Sequence, residues 1–367
     1  MITYLSAHNY KSFVNFRVDF NGTTILIGRN GCGKSSVYEA LILLKHFILG
    51  RGRTTDFFLP TFQTRWMKTR IQTFDLGIKV KEDLYEYHLE VEHEEETGNC
   101  LILKEQVKLN NKEIYTSNMG NAVFLDSETE RQSAFMVERS FSGISYIANG
   151  LSQKKLGRFV QEVEKIVLCQ IKPDKMKDAV AIEMPTPDVQ FTNVGEVISF
   201  LSQTRPDVMT NLWGQLKEID HSFERLRIEM GAFGKHLVAD YRYKDQFVTF
   251  KFTELSEGER MLIVLYVLLY GYLQNGFTVF IDEPDNYVSL RELQPWCQAV
   301  EKACQYNGGQ CIMISHHPEM IDYFAGSSGI WMTRKASGES SIMAAPHVDS
   351  SFMKYSELIA GGYLDEV

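Results

Sequence analysis

Apolar positions along the chain change period several times, and each change marks an element. Tyr4 to Tyr10 and Asn15 to Phe20 alternate loosely and predict strands, with a turn at Asn21-Gly22. Thr23-Thr24-Ile25-Leu26-Ile27 is a short apolar run ending at a glycine, as a buried strand does. From Lys34 to about Leu49 the spacing becomes helical, apolar at Val37, Ala40, Leu41, Leu43, Leu44, Phe47 and Ile48, and Gly50 stops it. Residues 51–70 lose periodicity and read as a loop, mixing Arg51, Arg53, Arg65, Lys68 and Arg70 with Phe57, Phe58, Phe62 and Trp66. In Leu84 to Val91 strict alternation returns. Tyr85, Tyr87, Leu89 and Val91 share one face and Glu86, His88 and Glu90 the other, which predicts a half-exposed antiparallel strand. Thr97-Gly98-Asn99 and Asn110-Asn111-Lys112 read as hairpin turns. From about 155 to 235 the pattern is mostly helical, broken at Arg205-Pro206. Beyond 250 strands and helices alternate again, followed by a hairpin around Ala336 to Ser341 and a final helix with Tyr355, Leu358 and Ile359. No heptad lasts beyond about two repeats, so a long coiled coil is not expected.

Between the apolar strand and the helix lies Gly28-Arg29-Asn30-Gly31-Cys32-Gly33-Lys34-Ser35, followed by Ser36. It fits GxxxxGK[ST] without a mismatch, in the strand–loop–helix setting that the motif requires. Glycines let the backbone curl so that successive N–H groups point at phosphate oxygens. Lys34 would reach the β and γ phosphates, and Ser35 would offer its hydroxyl to Mg²⁺ where the helix dipole favours anions. The expected ligand is a nucleoside triphosphate with Mg²⁺.

A second apolar strand, Thr278-Val279-Phe280-Ile281, delivers Asp282 and Glu283 at its carboxyl end, where ligands sit in parallel α/β sheets. Asp282 would hold Mg²⁺ and Glu283 would act as general base on the attacking water. Upstream, Leu255-Ser256-Glu257-Gly258-Glu259 precedes a stretch from Arg260 to Leu269 that is apolar on all sides, so that helix must be buried. Ser256 and Gly258 at its start make a second anion site.

With these three motifs in order, the resemblance reaches the level of a family. Leu255-Ser256-Glu257-Gly258-Glu259 resembles the signature of ABC ATPases, which in that superfamily contacts the γ-phosphate held by the opposite subunit. Ser315-His316-His317-Pro318 resembles their switch-histidine segment, with His316 as the γ-phosphate sensor. Asn9-Tyr10-Lys11-Ser12-Phe13 before a strand and the glycine loop is similar to RecF, SMC and OLD-type proteins, and the layout to the compact AAA-type members of that branch. The resemblance implies an α/β fold, a P-loop NTPase built as an ABC-ATPase head with a mixed α/β lobe and a helical lobe. Residues 1–150 would form lobe I with the P-loop and a strand meander, and 151–245 a mainly helical insert. Residues 246–345 would carry the signature, the acidic pair and the switch histidine, and 346–367 a helical tail. It also implies a head-to-tail homodimer around ATP, with Lys34, Glu283 and His316 catalytic, that controls an effector such as a separately encoded nuclease in DNA repair or anti-phage defence. Lys11 approaches the nucleotide by the same analogy. Ser289 stands where relatives often place Asp or His, and Gln63, Gln72 and Gln153 are weak candidates for the Mg²⁺-ligating glutamine. Too few residues follow His317 for a Toprim nuclease domain, so none is expected.

Charge and cysteine content narrow the reading further. The net charge is −9, so contact with DNA would need a local patch or the partner. Residues 51–70 are the candidate for such a surface, and a loop packing its aromatics on the core is the favoured alternative. The six cysteines include no CxxC pair, which argues against zinc and for buried thiols in a reducing compartment. With no signal-like start and no apolar run near the roughly 18 residues that span a bilayer, a cytoplasmic protein without membrane contact is expected. Two other readings stay open: a transporter's nucleotide-binding subunit, and an ATP-gated scaffold with incidental hydrolysis.

Overall fold

The computed structural model describes residues 1–94, 98–126, 131–150, 153–232, 234–344 and 354–361. The chain divides into two units, Met1–Asn21 with Leu26–Ile166 and Ala325–Val367, and Gly22–Ile25 with Val167–Phe324.

The first unit opens with strands β1 (Ile2–His8) and β2 (Phe16–Asp19), and β3 (Thr23–Ile27) enters it from the second unit. Helices α1 (Lys34–Ile48) and α2 (Thr54–Phe57) follow. Next come β4 (Ile71–Val80), β5 (Asp83–His93), β6 (Cys100–Leu109), β7 (Lys112–Asn118), β8 (Asn121–Leu125) and β9 (Gln132–Met136), then α3 (Gly143–Gly150) and α4 (Lys154–Glu164). The strands other than β3 form one sheet in the order β2-β1-β4-β5-β6-β7-β8-β9, paired antiparallel throughout. Alternation in β5 decides its packing as the sequence predicts: Tyr85, Tyr87, Leu89 and Val91 are buried. Phe159 of α4 stacks on the Tyr85 and Tyr87 rings at 5.7 and 6.1 Å. On the same face Glu105 is fully buried, which pushes its carboxyl pKa up against the hydrogen bonds that it accepts. Tyr87 Oη, Tyr115 Oη, Ser142 Oγ and Gly143 N donate to it, and the last two tie down the start of α3. Thr97 of the first predicted hairpin turn lies outside the described residues, as do Glu95 and Glu96. Asn110 and Asn111 turn with positive φ between β6 and β7, as the sequence predicts.

The second unit contains β10 (Ile166–Cys169), which starts at its boundary, β11 (Ala179–Val180), α5 (Val194–Thr204), α6 (Pro206–Ile219), β12 (Phe223–Gly231), β13 (Gly234–Tyr243) and β14 (Gln246–Lys251). It continues through α7 (Glu257–Val267), β15 (Thr278–Asp282), α8 (Leu290–Tyr306), β16 (Gln310–Ile314) and α9 (Pro318–Ser328). Its core sheet runs β10-β15-β16-β3, with β15 and β16 parallel. A smaller antiparallel sheet places β13 beside β11, β12 and β14. The chain then returns to the first unit with β17 (Gly329–Arg334), β18 (Ser340–Met343) and α10 (Tyr355–Ala360), β17 lying between β3 and β18.

The mostly helical pattern expected from about 155 to 235 is realised in α4, α5 and α6, with Pro206 opening α6. It fails after α4 and again after α6. Ile166 to Cys169 form a buried strand, and Phe223 onward is strand. A register shift between Phe223 and Arg225 offsets the alternation there, so the buried spacing from Phe223 to Leu226 imitates a helix. Helix α7 is buried from Met261 to Val267, as an all-round apolar helix must be.

Asp240 is the charged anchor of the smaller sheet. Its Oδ2 accepts from Arg225 Nε at 2.9 Å and Arg227 Nε at 2.8 Å, and its Oδ1 from Thr249 Oγ1 at 2.8 Å. Burial alone would raise its pKa, but hydrogen bonds from Arg227, Thr249 and Arg225 outweigh burial and hold it down to about 2. A depressed carboxyl stabilises the fold above its unfolded pKa, near 4, and that contribution is lost as pH falls toward 2. Asp240→Asn should therefore cost about 1–2 kcal/mol at neutral pH, because the guanidinium groups keep much of their hydration. In urea melts the gap between the two proteins should close between about pH 4 and pH 2. A gap that persists at the acid end would show that the loss is steric.

Candidate functional site

In the first unit the glycine loop is shaped by close contacts. Gly28 has φ +151, and a Cβ there would lie 2.2 Å from the Met332 carbonyl oxygen. At Gly33, φ +107, a Cβ would lie 2.6 Å from Ser340 Oγ and 2.9 Å from the Phe13 ring. Only glycine fits either position. Ser340 is itself fixed to the N-terminal loop, its N donating to Ser12 O at 2.9 Å and its Oγ sharing a hydrogen bond with Ser12 Oγ at 2.7 Å. Gly33 caps α1, whose first turn carries no acidic residue, an arrangement suited to an anion. Lys34 is buried, and its Nζ donates to Gly28 O at 2.6 Å and Arg29 O at 3.0 Å. Cys32 is buried beneath the loop, whereas Arg29, Asn30, Gly31 and Ser35 are exposed and Ser36 is half-buried.

Lys11 pairs with Glu39 of α1 and lies over the Phe62 ring. Burial lowers its pKa. The basic and aromatic stretch 51–70 separates by chemistry. Phe58 is buried against Phe47 and Phe74, and Phe62 meets Tyr10, while Arg51, Arg53, Arg65, Lys68 and Arg70 face solvent with Trp66.

In the second unit Asp282 ends β15 half-buried, and its Oδ2 accepts from Gln170 Nε2 at 3.1 Å. Gln170 immediately follows β10. The sequence reading did not single it out, because the run before it reads as the end of a helix. Gln63, Gln72 and Gln153 lie in the first unit and bond elsewhere: Gln63 to Arg70 O, buried Gln72 to Asn9 O, and Gln153 to Asp126. Glu283 adopts φ +56, its N donates to Ile314 O at 2.8 Å, and its Oε2 accepts from Asn286 Nδ2 at 2.7 Å. A non-glycine residue in this region marks a turn held by its surroundings. After β16, Ser315 is buried while His316 and His317 are exposed.

Ser256 caps α7 in a reciprocal box. Its Oγ accepts from Glu259 N at 3.2 Å, and its own N and Oγ donate to Glu259 Oε2 at 2.8 and 2.6 Å. A Cβ on Gly258 would lie 2.8 Å from Tyr287 O, so the start of α7 abuts the turn after the acidic pair. Ser289 caps α8, its Oγ donating to Glu292 Oε2 at 2.5 Å. The second unit thus brings Asp282, Glu283, Gln170 and the Ser315 turn together, and links Gly258 to them through Tyr287.

This fold is shared with solved ATPase heads. The SMC head domain from Thermotoga maritima matches with a TM-score of 0.50 at 15% identity, over 95% of this chain and 99% of that one. The Smc head domain of Pyrococcus furiosus, solved with an extended coiled coil and bound to the C-terminal domain of ScpA, matches with a TM-score of 0.50 at 12% identity. That match covers 100% of this chain and 98% of the other. At such identities the likeness is one of fold, and the fold is that of a P-loop ATPase head of the SMC kind. No curated protein matches the sequence. The family is nonetheless clear: the AAA ATPase domain model matches residues 1–321, and the chain belongs to that family.

Proposed function

We propose that the chain binds ATP with Mg²⁺ and hydrolyses it at sites completed by a second copy in head-to-tail arrangement. The observation that carries this reading is the Gln170–Asp282 hydrogen bond beside a fixed Glu283 turn, which sets metal-type ligands and a base side by side. The expected metal ligands are the Ser35 hydroxyl and the Asp282 carboxylate, and the Gln170 amide beside Asp282 would add a further oxygen; oxygen donors of this kind suit Mg²⁺. When bound, Mg²⁺ would neutralise charge on the β- and γ-phosphates. The Gly28–Ser36 backbone cradles the phosphates, Lys34 balances their charge, and Glu283 orients water and takes its proton. His316 senses the γ-phosphate, and Ser256 with Gly258 from the second copy donates to it. The output is closure and opening of the pair, read by an effector such as a separately encoded nuclease in DNA repair or anti-phage defence. The bound ScpA domain on the Pyrococcus furiosus head supports a partner acting on a head of this fold. We place the protein in the cytoplasm; among the described residues no helix is long and apolar enough to cross a membrane. Contact with DNA, where it occurs, uses the exposed basic residues of 51–70 or the partner.

A complementation assay tests the composite site. Lys34→Ala removes the phosphate cation, and Ser256→Glu sets a carboxylate against the γ-phosphate. Each variant alone should be inactive. Mixed in equal amounts they form hetero-pairs with one intact site, so ATPase activity should return to about a quarter of the wild-type rate. No recovery on mixing, with both variants folded, would rule out the head-to-tail arrangement.

A further inference from the structure

Beside the glycine loop one basic residue, Arg334, has no part in the reading above. It ends β17, and residues 335–339 turn the chain back into β18. The turn is closed on itself: Gly338 N donates to Lys335 O at 2.8 Å, Lys335 N donates to Glu339 O at 2.8 Å, and the two side chains of Lys335 and Glu339 pair. Gly338 has φ +92, and a Cβ there would lie 3.3 Å from Trp66 Cη2, so the indole packs on the turn. On the other side Ser340 is bonded to Ser12 and lies against Gly33. The hairpin is thus fixed between Trp66, the N-terminal loop and the glycine loop, all within the first unit.

Arg334 is oriented by this frame. Its Nε donates to Gly338 O at 2.9 Å, which fixes the plane of the guanidinium and leaves both Nη groups to bind. Nη1 lies 3.9 Å from the position that a Cβ on Gly31 would occupy. Among the described residues no carboxylate pairs with Arg334, whereas Lys335 beside it is paired. Bracing the turn takes only Nε. The remaining fork is a fixed, exposed cation at the rim of a loop shaped for anions, and a planar fork of this kind fits phosphate oxygens two at a time.

We propose that Arg334 is a nucleotide-binding residue, its Nη groups donating to the α- and β-phosphate oxygens held by the glycine loop. This rests on the reading above, in which the Gly28–Ser36 backbone cradles the phosphates. In such a loop the backbone N–H groups face the α- and β-phosphates, and the lysine reaches the β and γ. An arginine beside Gly31 therefore acts on the part that ATP and ADP share. It holds nucleotide before and after hydrolysis and takes no part in the chemical step.

The test is calorimetric titration of the full chain with Mg-ADP, with steady-state ATPase kinetics and a thermal melt on each variant. Arg334→Ala should bind Mg-ADP about tenfold more weakly than the wild type, and should raise KM for ATP by about the same factor with kcat changed less than about twofold. Arg334→Gln keeps a donor for Gly338 O without the charge and should lose as much, which separates the phosphate contact from the bracing of the turn; it carries the comparison if Arg334→Ala does not fold. Arg334→Lys keeps the charge without the fork and should lose only about threefold. The contact joins charges near solvent, so the gap between wild type and Arg334→Gln should narrow as salt rises from about 0.05 M to about 0.5 M. Lys335→Ala removes the neighbouring cation and should bind Mg-ADP within about twofold of wild type. Affinity within about twofold of wild type in Arg334→Gln, a loss that salt leaves unchanged, or an equal loss in Lys335→Ala would overturn the proposal. Lys34→Ala, run alongside, separates the two readings. Weak binding there beside wild-type binding in Arg334→Gln removes the arginine contact alone, whereas full affinity in Lys34→Ala removes the phosphate cradle beneath it.

Discussion

Lys34→Ala should bind ATP at least a hundredfold more weakly than the wild type. The ammonium would make two or three charge-assisted hydrogen bonds to β and γ oxygens, worth about 1.5–3 kcal/mol each, and about 2.7 kcal/mol already amounts to a hundredfold. In the structure Nζ donates instead to the carbonyls of Gly28 and Arg29, within its own loop. Binding ATP would exchange those neutral acceptors for anionic ones, the source of the expected gain. The variant also leaves those two carbonyls without their ammonium donor, so a loss of about 1 kcal/mol of stability is expected. Calorimetric titration with Mg-ATP gives the affinity, and a thermal melt distinguishes a damaged loop from a damaged fold. Binding within about threefold of wild type would mean that the phosphates lie elsewhere.

The glycine loop was legible from sequence because its chemistry is local. Gly28, Gly33, Lys34 and Ser35 sit within eight positions, and the strand before and helix after them follow from apolar spacing alone. The contacts that make the glycines obligatory were not legible: Met332 and Ser340 come from the far end of the chain. The acidic pair was readable for the same local reason. Gln170, by contrast, is defined only by its partner Asp282, which no spacing in its own segment reveals. Four apolar residues, Ile166 to Cys169, fit a helix or a strand equally well, and the preceding helix α4 settled the reading the wrong way. The strands from Phe223 were hidden by a bulge, a feature that changes period without changing composition. In residues 51–70 the composition left a contact surface and a packed loop both open. The structure buries Phe58 and turns the arginines outward, which only the positions of Phe47 and Phe74 decide.

Glu283→Gln should lower ATP hydrolysis by about 10²–10⁴-fold, the usual worth of a positioned general base, while leaving ATP binding intact. The substitution is nearly isosteric, and an amide oxygen still accepts from Asn286 Nδ2, so the φ +56 turn and its bond to Ile314 O should persist. Removing a negative charge from the proposed γ-phosphate site would favour binding, and without hydrolysis the ATP-bound state would accumulate. Light scattering of this variant with Mg-ATP should therefore show a stable pair of chains, and without nucleotide a single chain. Hydrolysis at the wild-type rate would mean that another group activates water. A dead enzyme that remains a single chain in saturating Mg-ATP would keep Glu283 as the base and remove the second copy from the site. Ser256 would then keep only its capping role at α7, where Glu259 already holds both its N and its Oγ.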